Sequence, residues 1–189
     1  MDIKNFLENV RTRQDFRHWL KLNCETETQC FICSKRGNPK DYEFCYIDAV
    51  EEAICFGWID SVFKRDSSGR SLQKFTPRRK NSNWTELNKE RARRQIRLGR
   101  MTEHGLKKLP DLDEPFKILP EILEILQGEC LLWANFKNQP PLYNRIKLDN
   151  IQKVRKNKEL YSLRLEKFIS YTKKGELYGQ WDDYGRLML

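Results

Sequence analysis

Apolar residues recur every three or four positions in several stretches of the chain, which is the spacing of one face of an α-helix. Three of these stretches begin with an N-capping pattern, at Thr12-x-x-Asp15, Asp48-x-x-Glu51 and Asn83-x-x-Glu86. Gly99 is placed to end the third helix. The periodicity predicts six helices, over about 13–23, 48–57, 84–98, 120–127, 129–138 and 160–173. The pair Pro140-Pro141 is expected to separate the last two.

Two other segments alternate apolar and polar residues, which is the period of a β-strand. They span 58–63 and 71–76 and flank the turn-forming sequence 66–70, so they predict an antiparallel hairpin. Pro77 is expected to end it, because proline donates no backbone hydrogen bond. A further short strand is predicted over 28–34.

These elements predict an α+β fold, with a small antiparallel sheet and packed helices followed by an all-helical C-terminal part. The prolines at 110, 115 and 120 mark an irregular linker, so we expect two domains, 1–109 and a helical extension over 110–189 that packs on it. Strands and helices do not alternate regularly, which disfavours a doubly wound sheet. No glycine-rich loop joins a strand to a helix, so neither a dinucleotide fingerprint nor a phosphate loop is predicted.

The chain has 189 residues, of which 39% are hydrophobic, and this is enough to form a core without disulfides. No apolar run approaches the roughly 18 residues of a membrane span. Residues 1–15 mix charged with apolar positions, unlike a signal peptide. We therefore expect a cytoplasmic protein with no membrane partner and with its six cysteines as free thiols.

The formal net charge of +9 is unevenly distributed. Eleven basic and three acidic residues lie between Arg78 and Lys108, and a second basic excess covers 143–176. Segregated charge of this kind attracts polyanions, which makes nucleic acid a candidate partner. The candidate nucleic-acid-binding residues are Arg93, Arg94 and Arg97. The alternative is a solvated helix face with internal charge pairs.

A metal site is the first alternative suggested by the cysteines. Cys30 and Cys33 have CxxC spacing, and Cys24 and Cys45 would complete four thiolates for zinc. However, positions three apart in a strand face opposite sides, so buried or edge thiols are favoured. We expect no metal and no cofactor.

Catalytic motifs are scarce. The two histidines, His18 and His104, have no partner at the spacing of a triad or of an HExxH motif. Nucleophile elbows of the GxSxG kind are absent from the sequence. Carboxylates distant in sequence can still converge, so acid–base chemistry stays open.

The densest group of candidate residues joins the hairpin to the helix predicted at Trp84. Guanidinium groups of Arg78 and Arg79 near that helix start would form a pocket for phosphate or carboxylate. Asp60 would orient the guanidinium groups, and Trp58 and Trp84 would supply aromatic walls. The full candidate ligand-binding set is Trp58, Asp60, Arg78, Arg79, Trp84, Asn88 and Arg100. The open alternative is a brace in which Asp60 forms an ion pair with Arg78 or Arg100.

Several of these segments resemble the YdeI/OmpD-associated, bacteriocin-protection-like family. The resemblance rests on Y-x-x-A-V-E-E-A-x-C-F-G-W-I-D at 46–60, F-T-P-R-R at 75–79, G-R-M at 99–101 and P-P-x-Y-x-R at 140–145. It covers about residues 12–172. It implies an uncharacterised bacterial cytosolic protein linked to stress or bacteriocin protection, with an N-terminal part similar to the YjbR/CyaY-like superfamily and no established enzymatic activity.

The leading hypothesis is therefore a protein that binds an anionic small molecule or a polyanion, and it is favoured over an enzyme. The alternative is an enzyme that acts on a small phosphorylated or carboxylated substrate, with Asp60 as acid or base. Iron binding is a third hypothesis, suggested by the fold analogy, and it needs an exposed acidic ridge at Asp48, Glu51 and Glu52. The sequence predicts no oligomeric state.

Overall fold

Three antiparallel strands and eight α-helices make up the part of the chain that the structure describes. The structure is a computed structural model, and it describes residues 4–41, 43–80 and 82–188. The strands all fall before residue 80, and the chain from Pro120 onward is helical apart from its connections. The predicted α+β fold with a helical C-terminal part is confirmed.

The sheet is built around the hairpin that the alternation predicts. Strand β1 spans Cys30–Cys33, β2 spans Trp58–Arg65 and β3 spans Ser71–Pro77. The order is β1-β3-β2, so β3 pairs with both neighbours. The register between β2 and β3 is irregular after Asp60, which pairs with Phe75. This bulge lies directly beside a candidate site residue.

Four helices accompany the sheet: α1 over Arg13–Asn23, α2 over Tyr46–Cys55, α3 over Glu86–Arg97 and α4 over Glu103–Leu106. The capping box predicted for α1, between Thr12 and Asp15, is present. Helix α2 begins at Tyr46, two residues before the predicted start, so Asp48 is its third residue. Its carboxylate accepts a hydrogen bond from the Cys45 backbone amide at 3.0 Å.

Helix α3 begins at Glu86, two residues later than predicted. The amide of Glu86 donates to the Asp149 carboxylate at 3.0 Å, and the Glu86 side chain forms an ion pair with Arg145 at 3.1 Å. This helix start is therefore fixed by residues about sixty positions away. A local capping pattern at Asn83 gives no information on such a partner.

The remaining helices are α5 over Pro120–Gln127, α6 over Cys130–Asn138, α7 over Pro141–Gln152 and α8 over Lys158–Lys173. The sequence analysis missed α7, because it took Pro140-Pro141 only as a break. Pro141 is the first residue of α7. Proline is favoured there, since the first helical amide needs no intrahelical partner and the fixed φ suits a helix.

The chain forms two compact units, and each has its own core. Unit 1 comprises the chain up to Trp84 together with Asn88–Leu112, and unit 2 comprises Thr85–Leu87 and Asp113–Leu189. Fully buried side chains of unit 1 include Phe16, Leu20, Ile32, Ile54, Trp58 and Phe75. Those of unit 2 include Ile122, Leu126, Leu132, Tyr143 and Phe168. In the described chain, no helix has the length and apolar character to cross a membrane.

Candidate functional site

Arg78 lies directly after β3 and is the most unusual of the candidate residues. Its backbone amide donates to the Gly57 carbonyl at 2.8 Å, and only 2% of the residue is exposed. The guanidinium carbon lies 3.7 Å from the centre of the Trp84 ring, and Nη1 donates to the Asn83 carbonyl at 3.4 Å. The buried Nε has no hydrogen-bond partner. Arg78 is thus a cation stacked on an indole.

Burial lowers the pKa of Arg78 to about 10, and the negative charge of Asp60 acts in the opposite direction. Within the described residues, neither Asp60 nor any other carboxylate forms an ion pair with Arg78. Asp60 forms none with Arg100 either. The brace that the sequence analysis left open, with Asp60 joined to Arg78 or Arg100, is therefore not what the structure contains.

Asp60 instead accepts a hydrogen bond from the Tyr46 hydroxyl at 2.6 Å. Tyr46 is the first residue of α2, and Asp60 lies three residues into β2. Burial and the Asp60 carboxylate raise the pKa of Tyr46, while the charges of Arg91 and Arg36 oppose the shift. Tyr46 therefore stays protonated and donates its hydroxyl proton to Asp60. The charges of Arg36 and Arg91 act on Tyr46, and the charge of Arg78 interacts with Asp60.

Helix α3 contributes two further side chains. Arg91 is buried and donates from Nη1 to the Asn88 side-chain oxygen at 2.9 Å. The two residues are three positions apart, so they lie on one helix face. Trp84 and Asn88 are both half-buried. The residues before α3 thus place the Trp84 indole against Arg78, and α3 places the Arg91 charge where it acts on Tyr46.

The other three candidates of the ligand-binding set lie elsewhere. Trp58 is 1% exposed, donates to the Cys24 carbonyl at 3.1 Å and packs edge-on against Trp19. It is a core residue and does not supply the predicted aromatic wall. Arg79 and Arg100 are exposed, and the Arg100 carbonyl accepts a hydrogen bond from Arg17. The structure brings together Asp60, Arg78 and Trp84, and it connects Asn88 to Arg91.

The three arginines assigned to nucleic-acid binding lie in ion pairs. Arg94 binds the fully buried carboxylate of Glu51 at 2.7 Å. Arg93 and Arg97 both bind Glu90, at 3.0 and 3.4 Å. Much of the positive charge of α3 therefore faces carboxylates of the same unit.

The acidic residues considered for iron binding are buried on α2. Arg13 binds all three of them, at 2.6 Å for Glu52, 2.7 Å for Glu51 and 3.3 Å for Asp48. A second arginine, Arg17, also binds Glu52 at 2.6 Å. No exposed acidic ridge exists here. Over residues 4–41, 43–80 and 82–188, no group of three or more His, Cys, Asp or Glu side chains could hold a metal ion.

The cysteines are free thiols, as predicted. Cys30 is buried and Cys33 half-buried on β1, which is an edge strand of the sheet. Burial raises the pKa of the Cys30 thiol. The prediction of buried or edge thiols is confirmed.

Sequence reasoning missed Tyr46, Arg36 and Arg91 as parts of this region. In the sequence, Tyr46 is notable only as the first residue of the motif at 46–60. Its contact with Asp60 depends on the turn that leads from α2 into β2, and side-chain periodicity does not report such a contact. Arg91 lies one helical turn after Asn88, and that spacing was the one signal that pointed to it.

A family model described as a domain of unknown function, DUF8412, matches residues 8–108, which is more than half of the chain. This range contains all the candidate site residues named above. No curated protein and no solved structure matches the chain significantly. The resemblance to the YdeI/OmpD-associated family stays a prediction.

Proposed function

Since the chain belongs to DUF8412, a family of domains of unknown function, we propose from the site itself that the protein binds an anionic ligand at Arg78. The ligand carries a carboxylate or phosphate group that accepts hydrogen bonds from the Arg78 guanidinium. The single observation that carries the proposal is a nearly fully buried arginine with no carboxylate partner and an unpartnered Nε.

A buried cation without a counter-ion is costly, because it has lost its water and gained no opposite charge. The lowered pKa of Arg78 expresses the same cost. An anion placed against the guanidinium would remove it and form charge-assisted hydrogen bonds, which are about twice as strong as neutral ones. An anion that reaches the guanidinium would thus offset the cost of burying its charge.

Trp84 supports the proposal by fixing the plane of the guanidinium. Stacking on an indole leaves the edges of the guanidinium free for hydrogen bonds, and those edges match the geometry of a carboxylate or phosphate. One edge already uses Nη1 for the Asn83 carbonyl, at the long distance of 3.4 Å. The Nε edge is the one left for a ligand.

A small anion is favoured over a nucleic acid. Duplex binding needs exposed cations that neutralise several phosphates in a row. Arg93, Arg94 and Arg97 are held in ion pairs, and Arg78 is too buried to reach a duplex backbone. The enzymatic alternative at Asp60 stays a prediction, and the hydrogen bond from Tyr46 gives Asp60 a role as an acceptor.

The experiment is a calorimetric titration of the full chain with phosphate, sulfate, acetate and citrate, followed by thermal unfolding with each. Ligand at one hundred times its Kd stabilises by about 2.7 kcal/mol. We expect at least one anion to bind the wild type and Arg79→Met but not Arg78→Met. Arg79→Met is the matched control, because it removes an exposed charge from the adjacent position. If Arg78→Met binds every anion with the same number of sites and the same affinities as the wild type, the proposal is contradicted.

A further inference from the structure

Unit 2 contains a cavity of about 390 Å³ with a basic and aromatic lining. Its lining residues are Lys147, Asn150, Ile151, Arg164, Lys167 and Tyr178. None of them is acidic. The cavity lies between the side chains of α7, those of α8 and the segment that follows α8. It shares no residue with the Arg78 site.

Lys147 is the most buried cation of this cavity, with 8% of the residue exposed. Its Nζ lies 4.4 Å from the centre of the Tyr178 ring and 5.5 Å from that of Tyr143. Within the described parts of the chain, no carboxylate forms an ion pair with Lys147. Burial, and then the charge of Lys167, lower the pKa of Lys147 to about 8.

Two further cations share the cavity. Lys167 Nζ lies 5.1 Å from the centre of the Tyr178 ring, and Arg164 donates from Nη1 to the Asn150 carbonyl at 2.8 Å. Neither has an ion-pair partner among the residues described. In unit 1, by comparison, the half-buried Arg94 is paired with the carboxylate of Glu51. Here three cations converge and repel one another.

The absence of a side chain at Gly179 leaves space next to the Lys147 amine. Gly179 adopts a φ of +61°, and a Cβ added there would lie 3.3 Å from Lys147 Nζ. A side chain at this position would therefore be strained and would also press against the amine. The charged and titratable groups that face Lys147 are Lys167 and Arg164 of α8, Tyr178, and Tyr143 of its own helix.

We propose that this cavity binds the phosphate group of a small phosphorylated molecule, with Lys147 deepest, Lys167 and Arg164 beside it and Tyr178 as an aromatic wall. The phosphate supplies the negative charge that the lining lacks and takes hydrogen bonds from three cationic side chains. Ile151 and the Tyr178 ring provide apolar surface for the rest of the molecule.

A small phosphate ester fits the cavity better than a nucleic acid does. Small-molecule sites have volumes of about 300–1,000 Å³, and this cavity falls in that range. A ligand must enter it to reach Lys147, because only 8% of that residue is exposed. The phosphates of a duplex remain on a rigid surface and contact exposed cations instead.

The test is a calorimetric titration of the full chain with phenyl phosphate and with inorganic phosphate. We expect phenyl phosphate to bind at one site that Lys147→Met weakens at least tenfold. Lys156→Met is the matched control, because it removes an exposed lysine from the same unit, and we expect it to change the affinity less than twofold. Lys167→Met, on the exposed side of the cavity, is a second variant that we expect to fold and to weaken binding at least threefold.

The experiment distinguishes a failure of the Lys147 proposal from a failure of the Arg78 proposal. Arg78→Met should leave the phenyl phosphate event at Lys147 intact, and Lys147→Met should leave the event at Arg78 intact. Unchanged phenyl phosphate affinity in both Lys147→Met and Lys167→Met overturns the inference. So does tight binding of a single-stranded oligonucleotide that depends on Lys147 when neither small phosphate binds.

Discussion

Arg78→Met is the substitution that separates a ligand-binding arginine from a structural one. Each pKa unit corresponds to about 1.36 kcal/mol, so the lowered pKa of Arg78 means that burial disfavours the charged guanidinium by about 3 kcal/mol. Methionine has a similar length and no charge, so the variant is relieved of this cost. It also loses the stacking on Trp84, worth about 2 kcal/mol when desolvated, and one long hydrogen bond worth about 1 kcal/mol.

These contributions nearly cancel, so we expect the free energy of unfolding of Arg78→Met to lie within about 1 kcal/mol of the wild type. For a chain of this length, 1 kcal/mol changes the melting temperature by about 2–4 °C. The assay is chemical and thermal unfolding without added anions, and circular dichroism is the signal that monitors unfolding.

Arg94→Met is the matched control, because Arg94 is an arginine of the same unit with a buried carboxylate partner. Removing it takes one ion-pair partner from the buried Glu51, and we expect a loss of about 3 kcal/mol. If Arg78→Met loses as much stability as Arg94→Met, Arg78 is a structural brace, and the reasoning that assigns it to a ligand is wrong.

Three further predictions concern other parts of the molecule. Gly105→Ala should lower the free energy of unfolding by about 2–3 kcal/mol in a urea titration, because its Cβ would overlap the Cys55 carbonyl. Gly99→Ala, whose Cβ would lie in open space at φ +64°, should lower it by only about 1 kcal/mol in the same titration. Sulfate affinity at the Lys147 cavity should fall about tenfold from pH 7 to pH 9 by calorimetry, because Lys147 loses its proton near pH 8. A disulfide reagent should modify the exposed Cys130 first, before the buried Cys30.

Each of these has a contradicting outcome. Equal losses for the two glycine variants would mean that the backbone around Gly105 yields to a methyl group. The sign of the pH effect is fixed, since a base with a lowered pKa is charged below that pKa and neutral above it, so sulfate binding that strengthens between pH 7 and pH 9 refutes a role for Lys147. A fast thiol phase of unchanged amplitude in Cys130→Ser contradicts the prediction that Cys130 reacts first.

The elements with local signals could be predicted from the sequence. The hairpin of β2 and β3 and the capping box of α1 depend on residues within a few positions of one another. Helix α7 was missed although its signal was local, because Pro141 has two opposite meanings: it ends a preceding helix and it favours the first position of the next. The start of α3 could not be predicted, since its amide is capped by Asp149.

The candidate site was predicted in part. Arg78 and Trp84 were named from the cluster of basic and aromatic letters, and the structure stacks one on the other. Trp58 was named on the same grounds, yet it lies in the core, because residue type alone does not tell which face of a strand is buried. The basic excess over 143–176 was visible in the sequence, but the Lys147 cavity was not, since the convergence of its lining residues depends on how α7 and α8 pack.

The most direct test of the account is a nuclear magnetic resonance titration that follows the Arg78 Nε–H group itself. The signal is assigned by its absence from the spectrum of Arg78→Met, and phosphate and acetate are then added to the wild type. We predict that the Arg78 Nε–H signal moves downfield and saturates with one of these anions, as an unpartnered donor gains an acceptor. An Arg78 signal that stays in place at saturating concentrations of both anions contradicts the claim that this arginine receives the ligand.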